Sequence, residues 1–227
     1  DNGLSIGAAY YGHFEKVGTF PSKPSEVEYP KLAYLGRSYD STEIERACVN
    51  ASVNYRTSGD SVSEIAYRLG DGEVVALFRG SSEIGPRALG HRSLLAPANS
   101  VKIRDQINLA IKSRESFRPL APIVLEEHLE TYFELDHPSP FMLTIAKVRP
   151  QYRDALAGVC HVDGTARLQT VSPSYEPFLA QLLKKYGENT GLLPVLINTS
   201  FNLRGEPIVE SPSDALQAFS LSLIHIS

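Results

Sequence analysis

Apolar residues recur along the chain with two different periods, and the two kinds of block alternate. Ile44, Ala47 and Cys48 share one face of residues 40–51 behind a capping Asp40, which predicts a short helix with Cys48 in the core. Residues 61–70 predict a second: Val62, Ile65, Ala66 and Leu69 form one stripe, Ser61 and Glu64 pair as a capping box, and Gly70 suits a left-handed stop. The β-branched run at 73–78 has the character of a buried strand. Ile103, Ile107, Ala110 and Ile111 then return to a helical period that ends by Pro119. Strands are expected at 141–148, 159–162 and 165–171, the last two joined by a two-residue turn at Asp163 and Gly164. A helix follows through Phe178, Leu179, Leu182, Leu183 and Tyr186, then a strand at 194–198 and a closing helix that starts at Ser211. The sum is a mixed α/β fold.

Composition narrows the function classes. The chain has 227 residues, 42% of them apolar, which is enough for a real core. Lys and Arg total 22 against 26 Asp and Glu, a net charge of −4, so no bulk field recruits nucleic acid or an anionic membrane, and any anion site is a local cluster. No apolar run reaches the ~18 residues of a membrane span. Cys48 and Cys160 lie far apart without a CxxC, as in a reduced, cytoplasmic protein. The chain opens at Asp1 with a glycine turn running into a small-residue helix, which predicts a fragment whose upstream part is missing, and three prolines (Pro21, Pro24, Pro30) mark an extended connector and a domain boundary at 19–30.

Four polar clusters carry candidate chemistry. Residues 82–93 (SEIGPRALGHRS) follow the predicted strand at 73–78, so their glycine turn can offer N–H groups to an anion, with Arg87 and Arg92 adding bidentate charge; a surface turn with solvated arginines explains them equally well. Lys112, Arg114 and Arg118 crowd a helix end, where cations also suit the helix dipole. Period-two alternation places Thr165, Arg167 and Gln169 on one face of their strand, close in sequence to His161. Asn198, Ser200 and Asn202 end the strand at 194–198, where α/β sheets tend to bind ligands.

Read together, SEIGPRALGHRSLL, INLAIKSRESFRPLAPIVL, HVDGTARLQTV and LINTSFNLRGEPIVESPSDAL resemble, in order and spacing, the C-terminal signature blocks of carbamoyltransferases of the nodulation-protein and tobramycin carbamoyltransferase type. The opening DNGLSIGAA resembles the last segment of that family's N-terminal domain. The resemblance implies a remnant of an actin-like (Kae1-like) domain at 1–18, a linker at 19–30, a YrdC-like domain at 31–219 and an atypical tail at 220–227. It implies an enzyme that takes carbamoyl phosphate and ATP, with Mg²⁺, and forms carbamoyl adenylate, which the Kae1-like domain spends on a hydroxyl of a sugar-containing or antibiotic-like acceptor. Carried over by motif, Lys112, Arg118 and Arg167 are the catalytic cations. Arg87, Arg114, His161, Asn198 and Ser200 join them in holding substrate, Asn198 and Ser200 by orienting carbamoyl or phosphate oxygens. Asp1 matches a ligand of the Fe²⁺ or similar divalent metal in the Kae1-like domain, two of whose histidines this chain lacks. Two alternatives are a threonylcarbamoyl-adenylate synthase-like enzyme, whose lysine and arginine motif is missing here, and a non-catalytic RNA- or anion-binding module.

Overall fold

The structure, a computed structural model, describes residues 3–20 and 32–221. Helix α1 (Gly3–Val17) comes first, and the connector and tail expected at 19–30 and 220–227, with Asp1, lie wholly or largely outside the described residues. Helices α2 (Ser41–Asn50) and α3 (Ser61–Gly70) follow, then strands β1 (Val75–Phe78) and β2 (Arg92–Pro97). Helix α4 (Val101–Gln106) continues into a π-helical turn, Ile107–Ile111, before β3 (Ala121–Leu125). The short α5 (Leu129–Tyr132), β4 (Phe133–Glu134), β5 (Thr144–Val148), β6 (Thr165–Val171), α6 (Pro177–Thr190), β7 (Val195–Ser200) and α7 (Pro212–Leu221) complete the order.

The seven strands form one sheet in the order β1-β2-β7-β3-β6-β5-β4, in which only β3 and β6 run parallel. Successive residues of the central strands bury into opposite layers. Leu95, Ile123 and Leu196 pack with Ala66, Leu69, Leu179, Leu182, Leu183 and Tyr186 of α3 and α6, while Leu94, Ala96, Val124 and Ile197 pack with Ile107, Ile111, Ala215 and Ala218. Burial on both faces is why these strands read as continuous apolar runs.

Several expectations are corrected. The α3 cap is Asp60, whose Oδ1 accepts from Ser63 N at 3.0 Å, and Gly70 stays helical while Gly72, at φ +85°, takes the left-handed turn. No strand forms at 159–162; the Asp163-Gly164 turn exists, with His161 N donating to Thr165 O at 2.8 Å, but β6 pairs with β5. Two central strands, β2 and β3, stand where no strand was expected, each carrying a proline, Pro97 and Pro122.

Candidate functional site: three joined clefts

Helices α3 and α6 cover most of one sheet face but leave its end open where β7 finishes and β3 and β6 begin. A pocket of about 100 Å³ sits there, lined by Arg87, Arg114, Arg167, Ala121, Met142, Asn198 and Ser200 among others. A second cleft, about 320 Å³, is lined by Lys112, Arg114, Glu115, Arg118, Ser200, Asn202 and Arg204. A third, about 480 Å³, runs past Glu83, Arg92, Ser200, Asn202, Glu206 and Glu210. Ser200 belongs to all three, so the end of β7 is their junction.

The side chains of Arg87 and Arg167 have no hydrogen-bond or ion-pair partner among the described residues. Burial, then the charges of Arg87 and Arg114, pull the Arg167 guanidinium below its usual pKa, as expected of cations that crowd one another. Arg114 is lowered likewise by burial and by Arg118. Its Nε donates to Asn108 Oδ1 at 2.8 Å, and Asn108 Nδ2 donates to the carbonyls of Ser116 and Arg118 at 3.0 and 2.8 Å. Asn108, buried in the π turn, thus ties down the loop that carries the cations.

Lys112 is 7% exposed, and its Nζ donates to Ser200 O, to Asn202 O at 2.9 Å and to Asn202 Oδ1 at 2.7 Å, with Ser200 Oγ at 3.3 Å. Three protons therefore meet four neutral oxygens. Arg118, with a side chain 55% exposed, donates from Nε to Glu115 Oε2 at 3.0 Å. His161 does not line any of these three clefts. Burial, and Arg167 beside it, lower its pKa, with Asp163 opposing.

Two parts of the 82–93 loop behave differently from the expectation. Its N–H groups do close on an anion, but the anion is Glu83: Oε1 accepts from Leu89 N at 2.7 Å, His91 N at 2.8 Å and Arg92 N at 3.3 Å. Gly90, at φ +107° and against Leu179, permits that turn. Arg92 is fully buried, lies 3.8 Å over the Phe78 ring, and donates to the carbonyls of Arg37, Arg79, Gly80 and His91. It holds the loop together, and both terminal nitrogens are engaged by carbonyls while Nε is buried, so neither fork of the guanidinium is free to grip a phosphate in two-point fashion. Two contributors were missed by sequence reasoning, Arg204 and Asn108, and Gln169 was placed on the Arg167 face of its strand without a role of its own. Of the two missed, Arg204 left a signal, a cation four residues beyond Ser200.

Comparisons with known proteins agree with the motifs. The chain is 38% identical over 225 residues to the nodulation protein NolO of Bradyrhizobium diazoefficiens, covering 96% of this chain and 40% of that one. It is 45% identical over 205 residues to a nodulation protein U of Rhizobium tropici, covering 90% and 33%. A similar relation, 41% over 211 residues, links it to the uncharacterized protein sll1178 of Synechocystis, covering 82% and 34%. The chain thus spans between a third and two fifths of the length of these relatives. Crystal structures of HypF superpose with a TM-score of 0.49 at 17% identity, covering 75% of this chain and 21% of that one. The family model for the carbamoyltransferase C-terminus matches residues 66–226, most of the chain and all three clefts, and the chain belongs to that family.

Proposed function

We propose that the joined clefts bind carbamoyl phosphate and ATP and that this part of the enzyme forms carbamoyl adenylate, for transfer to a hydroxyl-bearing acceptor held by the rest of a longer protein. The observation that carries this reading is the convergence of Arg87, Arg114 and Arg167, two of them without a side-chain partner among the described residues, on one small pocket in a chain of net charge −4. Unpaired, partly buried cations are costly to keep in a fold, and a multiply charged anion offsets that cost. The second cleft, with Lys112, Arg118 and Arg204, shares Arg114 and Ser200 with the small pocket and extends its positive surface.

Forming the mixed anhydride joins a carbamate oxygen to the α-phosphorus of ATP as pyrophosphate departs; atom balance requires water to release the phosphate of carbamoyl phosphate first. Negative charge accumulates on the departing group, and fixed guanidinium forks suit that charge because they need no reorganisation as it develops. Mg²⁺ would enter on the triphosphate, for among the described residues no group of three or more His, Cys, Asp or Glu stands close enough to hold a metal. The metal expected at Asp1 lies outside the described residues.

Isothermal titration of the chain with carbamoyl phosphate, and with ATP and Mg²⁺, tests the reading. Saturable binding is expected, weakened at least about tenfold by Arg87→Ala or Arg167→Ala with the circular dichroism spectrum unchanged. A folded chain that binds neither ligand overturns it. Exchange of labelled pyrophosphate into ATP that depends on carbamoyl phosphate is the expected sign of adenylate formation.

A further inference from the structure

Around the 100 Å³ pocket the hydrogen bonds leave one acceptor unused, and they fix which acceptor it is. The carbonyl of Leu89 can only accept, so the end of Gln169 that faces it at 2.8 Å is Nε2. Gln169 must then present Oε1 to Asn198, and the Asn198 atom 2.6 Å away must be the donor, Nδ2. The carbonyl of Ala88, 3.3 Å from the same Nδ2, demands the same orientation. Two backbone carbonyls therefore set both amides, with no freedom to flip. Asn198 Oδ1 is left facing neither partner: it is buried and unbonded, on a residue 1% exposed that lines the pocket. Gln169 is equally buried, and the two amides meet diagonally across β3, where Asn198 stands opposite Ala121 and Gln169 opposite Ile123.

A buried amide oxygen without a donor is costly, and a ligand N–H would satisfy it. The arginines of the same pocket require negative charge. One small ligand meets both demands when it carries a phosphate or carboxylate beside a primary amide. Resting on the anion-cleft reading above, we propose that the pocket selects its anion by that amide: Asn198 Oδ1 accepts from the NH₂ of a carbamoyl group, and Gln169 is the positioning residue that holds Asn198 in this orientation. The role differs from the one expected from sequence, where Asn198 orients an oxygen; its only donor group is already spent on Gln169 and Ala88.

The test compares phosphonoacetamide with acetonylphosphonate, hydrolysis-resistant mimics of carbamoyl phosphate and acetyl phosphate that differ in NH₂ against CH₃. Titration of the wild-type chain is expected to give about tenfold tighter binding of the amide, the size of one satisfied hydrogen bond. Gln169→Leu is expected to bring the two affinities within about threefold of each other while inorganic phosphate still binds, a change of ratio that a merely structural defect does not produce. Equal affinities in the wild type overturn the proposal without touching the anion reading, and need no variant. Discrimination that survives Gln169→Leu removes the positioning role. Failure of all three anions, inorganic phosphate included, to bind a folded chain takes down the anion reading and the proposal with it.

Discussion

Lys112 faces four oxygens and no carboxylate, with Arg114, Arg118 and Arg204 as its neighbours across the cleft and Glu115 engaged by Arg118. Burial, with Arg114 adding to it, pushes its amine down from 10.5 to about 7. The unfolded chain binds a proton here up to pH 10.5 and the folded chain only up to about 7, so this side chain makes stability rise with pH across that window and contributes its full cost below it. An anion in the cleft favours the ammonium form and so takes up a proton above pH 7. Affinity for sulfate, whose charge is constant between pH 7 and 9, is expected to fall by up to about tenfold per unit over that range in the wild type. It should stay flat in Lys112→Arg, which cannot lose its proton. Equal slopes in the two proteins exclude Lys112 as the titrating group.

Cations of this kind are legible in a sequence when they recur in polar clusters between apolar blocks. Arg87, Arg114 and Arg167 were expected from their motifs, and the structure brings them into one pocket. Gln169 showed only its place on the Arg167 face, and Asn108 gave no signal. Each is a neutral amide within an apolar stretch, and its meaning lies in partners elsewhere: Leu89 and Asn198 for Gln169, the 114–118 loop for Asn108. Arg92 misled for the opposite reason, being a cation in the right loop whose terminal nitrogens donate to four carbonyls that no local pattern reveals.

Among the secondary-structure elements, helices with a single stripe, such as α3 and α6, were readable because 3.6-residue periodicity is a local property. The strands β2 and β3 were not, since both faces are buried and period two vanishes; Pro97 and Pro122 further disguised them. The loop between β1 and β2 is fastened to α6 through side chains alone. His91 Nε2 lies 2.9 Å from Glu176 Oε1, Arg79 donates to Glu176 Oε2 at 2.9 Å, and His91 Nδ1 lies 2.6 Å from the carbonyl of Ser81, with Tyr34 stacked on the ring. Glu176 is 3% exposed, so replacing its charge leaves Arg79 and His91 facing a neutral group in a dry site. Glu176→Gln is expected to cost about 3 kcal/mol in urea unfolding, the range for breaking one partner of a buried pair. A loss below about 1 kcal/mol would place the fastening elsewhere. Since Arg87 sits in this loop, the same variant should also weaken anion binding.

The charge of the protein is distributed against its total. Acids outnumber Lys and Arg by 26 to 22, yet the small pocket and the second cleft are lined by Arg87, Lys112, Arg114, Arg118, Arg167 and Arg204, with Glu115 the one acid and already paired to Arg118. Glu83, Glu206 and Glu210 line the third cleft beside them. A ligand that fits inside the basic clefts gains their full attraction over short distances, while a long polyanion lying across the surface meets the acidic surroundings as well. The recess adds a size limit, because a pocket of about 100 Å³ admits a terminal phosphate but not a duplex backbone. Inorganic tripolyphosphate should therefore bind and compete with ATP, whereas double-stranded RNA should show no saturable binding at 0.15 M salt. Over 50 to 200 mM salt, tripolyphosphate affinity should fall by less than the ~10³-fold typical of proteins that make six or more phosphate contacts along a duplex. Micromolar RNA binding with that steep salt dependence would mean that the cations act as an open surface, and the binding-module alternative would then displace the enzymatic reading.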